Sequence, residues 1–520
     1  MDGPIKKIYR LCENQYYKLE KLSQLLDCSD LEATAFVEYM RKQEVCKTDL
    51  YNKTFSFRYV GLVEFECNGG ASVGDKRRRM VFIEPKFFDP ETRSEVAGDG
   101  MDESQKILLK AILKYHKSQQ VSWFSSGRLT SYEGCSTRLS TNLAFILDVM
   151  EKGVYQVPKM ELVVNGQGDI DWNETFEAVD PIFLQDGPCY ANTINREMGY
   201  DDDTYISRLQ MCLASKCISY FEEIGLAEPL GLFLDSPYDG DIADFGSEAY
   251  CASRVENELR TQFIDDKQQT LKLMQAVLNN MAYGSDSLEF QSFGMSGFHT
   301  LWERAIKDVF CDELERTPRQ IFNEHELERV SGRDHNLIPK LDRALKEFID
   351  APRWIKIGAD DGGVTAQSDD ETDRLKPDFV AVARDEDKAT ALIILDAKYY
   401  KPEFKESSIL FAPGVGDVDK QVLYQLAYDG IVAPCDLKVH NAFMFPKWYQ
   451  NWNDDKIKAE LFAKISVPSF GPLESFNGET PTFKTYMLDG MGLLKRYVYN
   501  ESDYEHKSLM EILEGEKTCP

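Results

Sequence analysis

Two aspartates and a lysine stand at the ends of two apolar runs, PDFVAVA and ALIILDAK. Asp378 opens the first run directly after a proline, and Asp396 and Lys398 close the second, so that Asp396 follows Asp378 by 18 positions. Side chains at positions i and i+2 of a strand point to the same side, so Asp396 and Lys398 share a face. Two converging carboxylates form an oxygen site for a hard cation such as Mg2+, and an ammonium beside them suits a phosphate. The three residues therefore predict metal-dependent hydrolysis of a phosphodiester.

The two apolar runs must pair as strands if these side chains are to meet. The short segment RDEDKAT between them predicts a turn, and hence an antiparallel hairpin that brings Asp378 to the Asp396 end. The backbone carbonyl of Ala397 could then add a third oxygen to the metal site. Because the site lies at the end of a sheet, both carboxylates are expected to be partly exposed. An Asp-x-Lys at a strand end is common in large proteins and Pro-Asp often starts a turn, so the surrounding elements decide the interpretation.

Two predicted helices flank this hairpin in the sequence. The segment GFHTLWERAIKDVF has its apolar residues spaced for burial on one face of a helix, and Glu303 lies off that face. The segment GDVDKQVLYQLAYDGIV places Gln421, Tyr424, Gln425 and Tyr428 on one helical face. That polar and aromatic face is typical of a functional surface, and equally of an amphipathic helix with half-buried tyrosines.

The order of these elements resembles the core of the PD-(D/E)xK nucleases. The order is the helix with Glu303, the strand RWIKI, the two runs PDFVAVA and ALIILDAK, the helix KQVLYQLAY and the strand NAFMFP. The resemblance implies that Asp378, Asp396 and Lys398 form the catalytic signature of that superfamily. It also implies that Glu303 is the acidic residue that many members carry on the first core helix.

A glutamine on the second core helix completes the expected site. Some branches of the superfamily carry a catalytic glutamine there, which the resemblance assigns to Gln421, although Gln425 competes for the role. The cofactor expected is Mg2+, and its expected ligands are Glu303, Asp378, Asp396 and the backbone of Ala397.

The likeness extends beyond this core. The segments NGQGDIDWNETF, YISRLQ and APGVGDVDKQVLYQ, with the long hairpin YVGLVEF…MVFIEPKF, resemble the LlaJI family of restriction endonucleases, which are relatives of McrC. The resemblance runs, with gaps, from about residue 55 to about residue 500. It implies double-stranded DNA as the substrate and an AAA+ GTPase related to McrB as a partner. The chain has no GxxxxGK[ST] loop, so it is not expected to bind GTP or ATP by itself.

The fold class that follows is α/β, with a C-terminal PD-(D/E)xK core built as a mixed sheet flanked by helices and preceded by an α+β region. Three domains are expected: an α+β domain with a long β-hairpin over 1–165, a mainly helical region over 166–290, and a nuclease domain over 291–520. Within the first of these, the segment from Ile5 to about Lys47 is predicted to form short helices.

The charge of the chain bears on how it would hold DNA. A formal net charge of -28 argues against a protein that coats nucleic acid non-specifically. A subunit whose grip on DNA is partly supplied by a partner need not be basic overall. The basic residues at 76–79 could contact DNA or a partner's ring, or could be an exposed hairpin end. A helical stripe of lysines is interpreted either as a solvated face or as a contact for nucleic acid or an acidic partner; its members are Lys106, Lys110, Lys114 and Lys117.

Cysteine spacing and hydropathy indicate the compartment. The 12 cysteines include no CxxC pair, and no apolar stretch approaches the roughly 18 residues that a membrane span needs. A soluble, cytoplasmic protein with free thiols and no membrane contact is therefore expected. Two rival functions are a nuclease-fold adaptor that binds DNA or regulates a partner without cutting, and a metal-dependent hydrolase of small phosphorylated substrates. The complete acid-acid-lysine set argues against the adaptor.

Overall fold

We describe a computed structural model of the chain. The residues that it describes are 7–68, 76–88, 98–118, 138–184, 187–282, 290–333, 340–349, 353–355, 365–367, 375–406, 408–452, 454 and 456–515.

The helices and strands of these residues are numbered in chain order. The α-helices are α1 (Leu19–Leu25), α2 (Asp30–Lys42), α3 (Glu103–Ser118), α4 (Arg138–Lys152), α5 (Trp172–Ala178), α6 (Tyr205–Glu223), α7 (Ala227–Leu230), α8 (Glu248–Thr261), α9 (Asp265–Ala282), α10 (Phe298–Val309), α11 (Pro318–Ile321), α12 (Glu324–Arg333), α13 (Val415–Cys435), α14 (Gly490–Tyr499) and α15 (Lys507–Glu514). The strands are β1 (Lys7–Cys12), β2 (Tyr17–Lys18), β3 (Cys46–Asp49), β4 (Thr54–Phe57), β5 (Val60–Asn68), β6 (Lys76–Glu84), β7 (Gly98–Asp99), β8 (Val157–Val164), β9 (Asp169–Ile170), β10 (Ile182–Leu184), β11 (Gly187–Cys189), β12 (Ile194–Asp201), β13 (Phe290–Met295), β14 (Arg353–Ile355), β15 (Thr365–Gln367), β16 (Phe379–Asp385), β17 (Lys388–Ala397), β18 (Glu403–Lys405), β19 (Ser408–Leu410), β20 (Lys438–Lys447), β21 (Ala459–Ser466) and β22 (Thr482–Asp489). Among the helices just given, none is both long enough and apolar enough to span a bilayer.

The contacts between residues divide the chain into two compact units. The first unit contains the described residues of Val63–Met80 and Val121–Phe293, and the second contains those of Lys7–Leu62, Val81–Gln120 and Gly294–Pro520. The α/β fold class is confirmed, since helices and mixed sheets alternate along the chain. The three consecutive domains expected from the sequence, over 1–165, 166–290 and 291–520, stay a prediction.

The segment before residue 47 differs from the prediction of short helices. Helices α1 and α2 do form, and α2 begins with a capping box between Ser29 and Glu32. However, KIYRLC forms β1, which buries Ile8, Tyr9 and Leu11 and pairs with β7. A short apolar run fits a helix or a strand equally well from its sequence, and here pairing with β7 makes this run a strand.

The first unit contains helices, a three-stranded sheet and the two-stranded sheet of β10 and β11. Helix α4 packs against α6 and α9, and α8 packs against α9. Strand β12 lies between β8 and β9, and it pairs antiparallel with both.

The second unit contains a five-stranded mixed sheet of order β16-β17-β20-β22-β21. Strands β16 and β17 form an antiparallel hairpin, whereas β17 runs parallel to β20 and β20 parallel to β22. The run ALIIL lies in β17 and is buried throughout, as is usual for a strand that is covered on both faces. The expected hairpin between PDFVAVA and ALIILDAK is therefore confirmed.

Helix α13 covers this sheet. Tyr424, Tyr428 and Ile431 of α13 pack with apolar side chains of β16 and β17, such as Val382 and Ile394. Nearer its start, the helix packs with a second cluster that includes side chains of β20 and β22. The sheet and α13 together position Asp396 and Lys398 at the carboxyl end of β17.

The strand RWIKI was expected among the core elements, but it does not join this sheet. Its described part, β14, pairs antiparallel with β15 in a separate two-stranded sheet. The position of β16 at the edge of the five-stranded sheet is instead supported by acidic side chains. Asp312 accepts a hydrogen bond from the NH of Val380 at 2.9 Å, and Glu313 accepts one from the NH of Val382 at 2.8 Å.

Candidate active site

The register of the hairpin places Asp378 directly opposite Asp396. Phe379 pairs with Leu395, so Asp378, which precedes Phe379, faces Asp396, which follows Leu395, across the two strands. Asp378 Oδ2 accepts a hydrogen bond of 2.9 Å from the NH of Ala397. This bond ties the first acid to the strand end that carries the second.

Both acids were expected to be partly exposed; Asp378 is, but Asp396 is buried, with 5% of its surface exposed. The reason is α13, from which the Gln421 side chain donates a 3.0 Å hydrogen bond to Asp396 Oδ2. Burial, followed by the charge of Asp378, raises the pKa of Asp396 to about 7 despite the opposing effect of Lys398. The half-buried Asp378 also has a raised pKa, because of burial and then the charge of Glu303.

Lys398 lies between two carboxylates. Its Nζ is 3.0 Å from Asp396 Oδ1 and 3.1 Å from Asp417 Oδ1. Burial acts to lower the pKa of Lys398, but the two carboxylates outweigh it and raise the pKa above its usual value. The side chain is therefore a fixed positive charge, and the hydrogen bond from its NH to the Met444 carbonyl (2.9 Å) fixes its backbone.

The two glutamines of α13 make different contacts. Gln421 is fully buried and contacts Asp396, whereas the Gln425 side chain donates a 2.7 Å hydrogen bond to the carbonyl of Ser475. Asn441 on β20 bonds to both residues, at the Gln421 carbonyl and at Gln425 Oε1. Gln421 is thus the glutamine that reaches the carboxylates.

Glu303 lies on α10 near these acids and is half-buried. The charge of Glu303 raises the pKa of Asp378. The pKa of Glu303 is itself raised, mainly by burial and also by the charge of Asp396, although Lys307 and Lys398 act to lower it. Within the part of the chain that the structure describes, no group of three or more His, Cys, Asp or Glu residues is arranged to hold a metal ion. Glu303 therefore influences the two aspartates by its charge without completing a ligand cluster with them.

The donor atoms at the strand end nevertheless fit a hard cation. Gln421 Oε1 is buried and has no hydrogen-bond partner among the described residues, and the buried Asp396 Oδ1 contacts only the Lys398 ammonium as an ion pair. Two carboxylates face each other there, and the charge of Asp378 adds to burial in raising the pKa of Asp396 despite the neighbouring Lys398, so the two acids repel each other when both are ionised. A divalent cation with oxygen ligands would offset this repulsion.

Two supporting residues were not identified from the sequence. Asp417 lies on α13 one turn before Gln421, and it both accepts from the NH of Gly414 and pairs with Lys398. The spacing of Asp417 and Gln421 in GDVDKQ is the signal that could have indicated it.

Tyr399 is the other supporting residue. Its hydroxyl donates a 2.6 Å hydrogen bond to Glu13, 386 positions away, and the Lys86 ammonium lies 4.3 Å from its ring centroid. Burial raises the pKa of Glu13. This contact anchors the backbone directly after Lys398, and no local pattern in the sequence indicates it.

Two basic segments were predicted as possible contacts for DNA or a partner, the hairpin tip at 76–79 and the lysine stripe of α3. Strands β5 and β6 are hydrogen-bonded neighbours, as the long hairpin predicted, but its tip and the side chains of Lys76 and Arg77 lie outside the described residues. In the lysine stripe of α3, the Lys114 ammonium donates to the Tyr497 carbonyl and to Asn500 Oδ1. That side chain is therefore part of the packing between α3 and α14.

Comparison with known proteins connects this site to a family. The model of the LlaJI restriction endonuclease family matches residues 72–323 and 339–465, which include all the candidate site residues. The Type II restriction enzyme BsuMI component YdjA of Bacillus subtilis (strain 168) is 27% identical over 404 residues, which are 75% of this chain and 72% of that protein. The cryo-EM structure of the Thermococcus gammatolerans McrBC complex contains a chain that is 11% identical over 58% of this chain and 86% of its own, but a TM-score of 0.22 supports no argument. Because the residues that the family model matches make up well over half of this chain, the chain belongs to the LlaJI restriction endonuclease family.

Proposed function

We propose that this chain is the Mg2+-dependent endonuclease subunit of a cytoplasmic restriction system, that it hydrolyses phosphodiester bonds of double-stranded DNA, and that it works with an AAA+ GTPase. Membership of a restriction endonuclease family supports the DNA substrate. The observation that carries the proposal is the meeting of Asp378, Asp396, Lys398 and Gln421 at the end of β17.

Asp378, Asp396 and the carbonyl of Ala397 would hold Mg2+, with Glu303 reaching it through a water. When bound there, the ion would polarise the phosphate and lower the pKa of a coordinated water. The two aspartates are suited to this role because they face each other across the hairpin and their charges are only partly offset.

The other two residues would act on the phosphate and the water. The Lys398 ammonium is held by Asp396 and Asp417, and it would stabilise negative charge developing on the phosphoryl oxygens. Gln421 donates through its NH2 group to Asp396, which leaves Oε1 to accept a hydrogen bond from the attacking water. Gln421 would thus orient the water without binding the metal.

The glutamines provide a matched pair of variants. We expect Gln421→Ala to slow DNA cleavage about tenfold, which corresponds to one lost hydrogen bond of roughly 1.4 kcal/mol, and to leave Mg2+ affinity unchanged. Gln425→Ala removes the same side chain one turn away, where it bonds to Ser475, and should leave the cleavage rate as it is. Single-turnover cleavage rates and calorimetric Mg2+ titrations of both variants check this. Equal slowing by the two variants would show that the glutamines act only through packing.

A plasmid-cutting assay tests the proposed function. Supercoiled DNA is incubated with the purified chain in Mg2+ or in EDTA, first alone and then with the AAA+ GTPase subunit and GTP. We expect nicked or linear product only in Mg2+, and more of it when the partner is present. Intact plasmid under every condition, together with a GTPase rate that depends on this chain, would instead favour the non-catalytic adaptor.

A further inference from the structure

A cavity of about 750 Å3 lies in the second unit beside the candidate active site. Its wall is formed by α10, α14 and the segment that leads into β16, and it includes Pro377, the residue before Asp378. Basic side chains outnumber acidic ones in this wall, and the basic ones are Lys114, Arg304, Lys307, Lys346, Lys376 and Arg496.

Half of these basic residues are paired with carboxylates of the same wall. The pairs are Arg304 with Asp308 (2.9 Å), Lys346 with Glu315 (2.7 Å) and Arg496 with Glu501 (3.9 Å). Among the described residues, the other three basic side chains of the wall form no such ion pair; they are Lys114, which donates to the Tyr497 carbonyl and to Asn500, and Lys307 and Lys376.

Asp312 is the last acidic residue of the wall, so the wall contains six basic and four acidic side chains. Asp312 Oδ1 accepts from the NH of Val380, and burial raises the pKa of its carboxyl to about 6. The cavity therefore carries a surplus of positive charge although the chain as a whole has a formal net charge of -28. A local surplus of this kind attracts an anion that the rest of the surface repels.

Two of the basic side chains of the wall lie near acids of the candidate site in the chain. Lys307 follows Glu303 by one turn of α10, and its charge opposes the rise in the pKa of Glu303. Lys376 is exposed two residues before Asp378, and its carbonyl accepts a 2.8 Å hydrogen bond from Tyr424, which fixes the backbone there. A strand whose phosphate is at Asp378 and Asp396 would place its next phosphates along this wall.

We propose that this cavity, through Lys307 and Lys376, binds the backbone phosphates of the DNA strand next to the phosphate that is cut. The inference rests on the proposed function and adds to it the surface by which this acidic chain holds its substrate. Contacts to phosphates position the duplex without reading its sequence, so these lysines would contribute equally to every DNA sequence.

Binding of a fluorescent duplex at increasing salt, in EDTA and without cleavage, tests the proposal. Each phosphate contact contributes about 0.9 to the slope of log affinity against log salt concentration. We expect the double variant Lys307→Gln/Lys376→Gln to bind more weakly and to reduce that slope by roughly 1.8. The control Lys388→Gln/Lys464→Gln removes the same charge from exposed positions, one at the hairpin turn at the other end of β17 and one on the edge strand β21, and should keep the wild-type slope.

Equal slopes for the two double variants, or a wild-type chain that does not bind the duplex, would overturn the proposal. So would full displacement of the duplex by a nucleoside triphosphate at the same phosphate concentration, because the cavity would then be a small-molecule site. Failure of the proposed function is distinguishable: wild-type protein that binds the duplex with the lysine-dependent slope but never cuts it would support the DNA-binding surface and reject the nuclease activity.

Discussion

Asp378→Asn and Asp396→Asn are each expected to abolish Mg2+-dependent DNA cleavage, with a loss of at least about a thousandfold. Each change removes a carboxylate from the proposed metal site, and the stabilisation that a metal gives to a phosphoryl transition state is on the order of 4 kcal/mol. Cleavage rates measured in excess DNA, together with calorimetric Mg2+ titrations, check the expectation. Both the rate and the metal affinity should fall together.

Folding should not suffer in these two variants. Asparagine has nearly the shape of aspartate, and it removes a charge from two facing carboxyls whose pKa values are raised in the folded chain. The thermal unfolding midpoint in EDTA should therefore stay the same or rise. Asp385→Asn is the matched control, since Asp385 is an exposed carboxylate at the other end of β16. Wild-type turnover by either site variant would reject the metal site at this hairpin.

Lys398→Ala is expected to reduce cleavage about a hundredfold while Mg2+ binding persists. One charge-assisted donor to the transition state contributes on the order of 3 kcal/mol. The lysine is held by Asp396 and Asp417, so its loss leaves both proposed aspartate ligands in place on the hairpin. Single-turnover rates and calorimetry on the same preparations separate chemistry from metal binding.

Glu303→Gln provides the contrast to this variant. Its carboxylate is proposed to reach the metal through a water, so its loss should weaken Mg2+ binding and shift the Mg2+ dependence of the rate to higher concentration. Lys401→Ala, at an exposed position three residues after Lys398, controls for a general loss of positive charge. If Lys398→Ala also lost its Mg2+ affinity, the lysine would be a residue that organises the acids, and its role in the transition state would be rejected.

The sequence by itself determined the centre of the candidate site. A strand has a period of two residues, so Asp396 and Lys398 had to share a face, and the Lys398 ammonium lies 3.0 Å from Asp396 Oδ1. A short turn between two apolar runs had to pair them antiparallel, which set Asp378 opposite Asp396. Such relations are local, because they involve residues close together in the chain and the fixed geometry of a hairpin.

Only the tertiary structure decided the rest, because it depends on how distant elements pack. The sequence assigned the catalytic glutamine to Gln421 but left Gln425 as a competitor, and the position of α13 on the sheet brings Gln421 to Asp396 and Gln425 to Ser475. The same packing buries Asp396, which strand-end position alone predicted to be partly exposed. The anchoring of Tyr399 by Glu13 joins residues 386 positions apart, a distance over which no periodicity or spacing carries information.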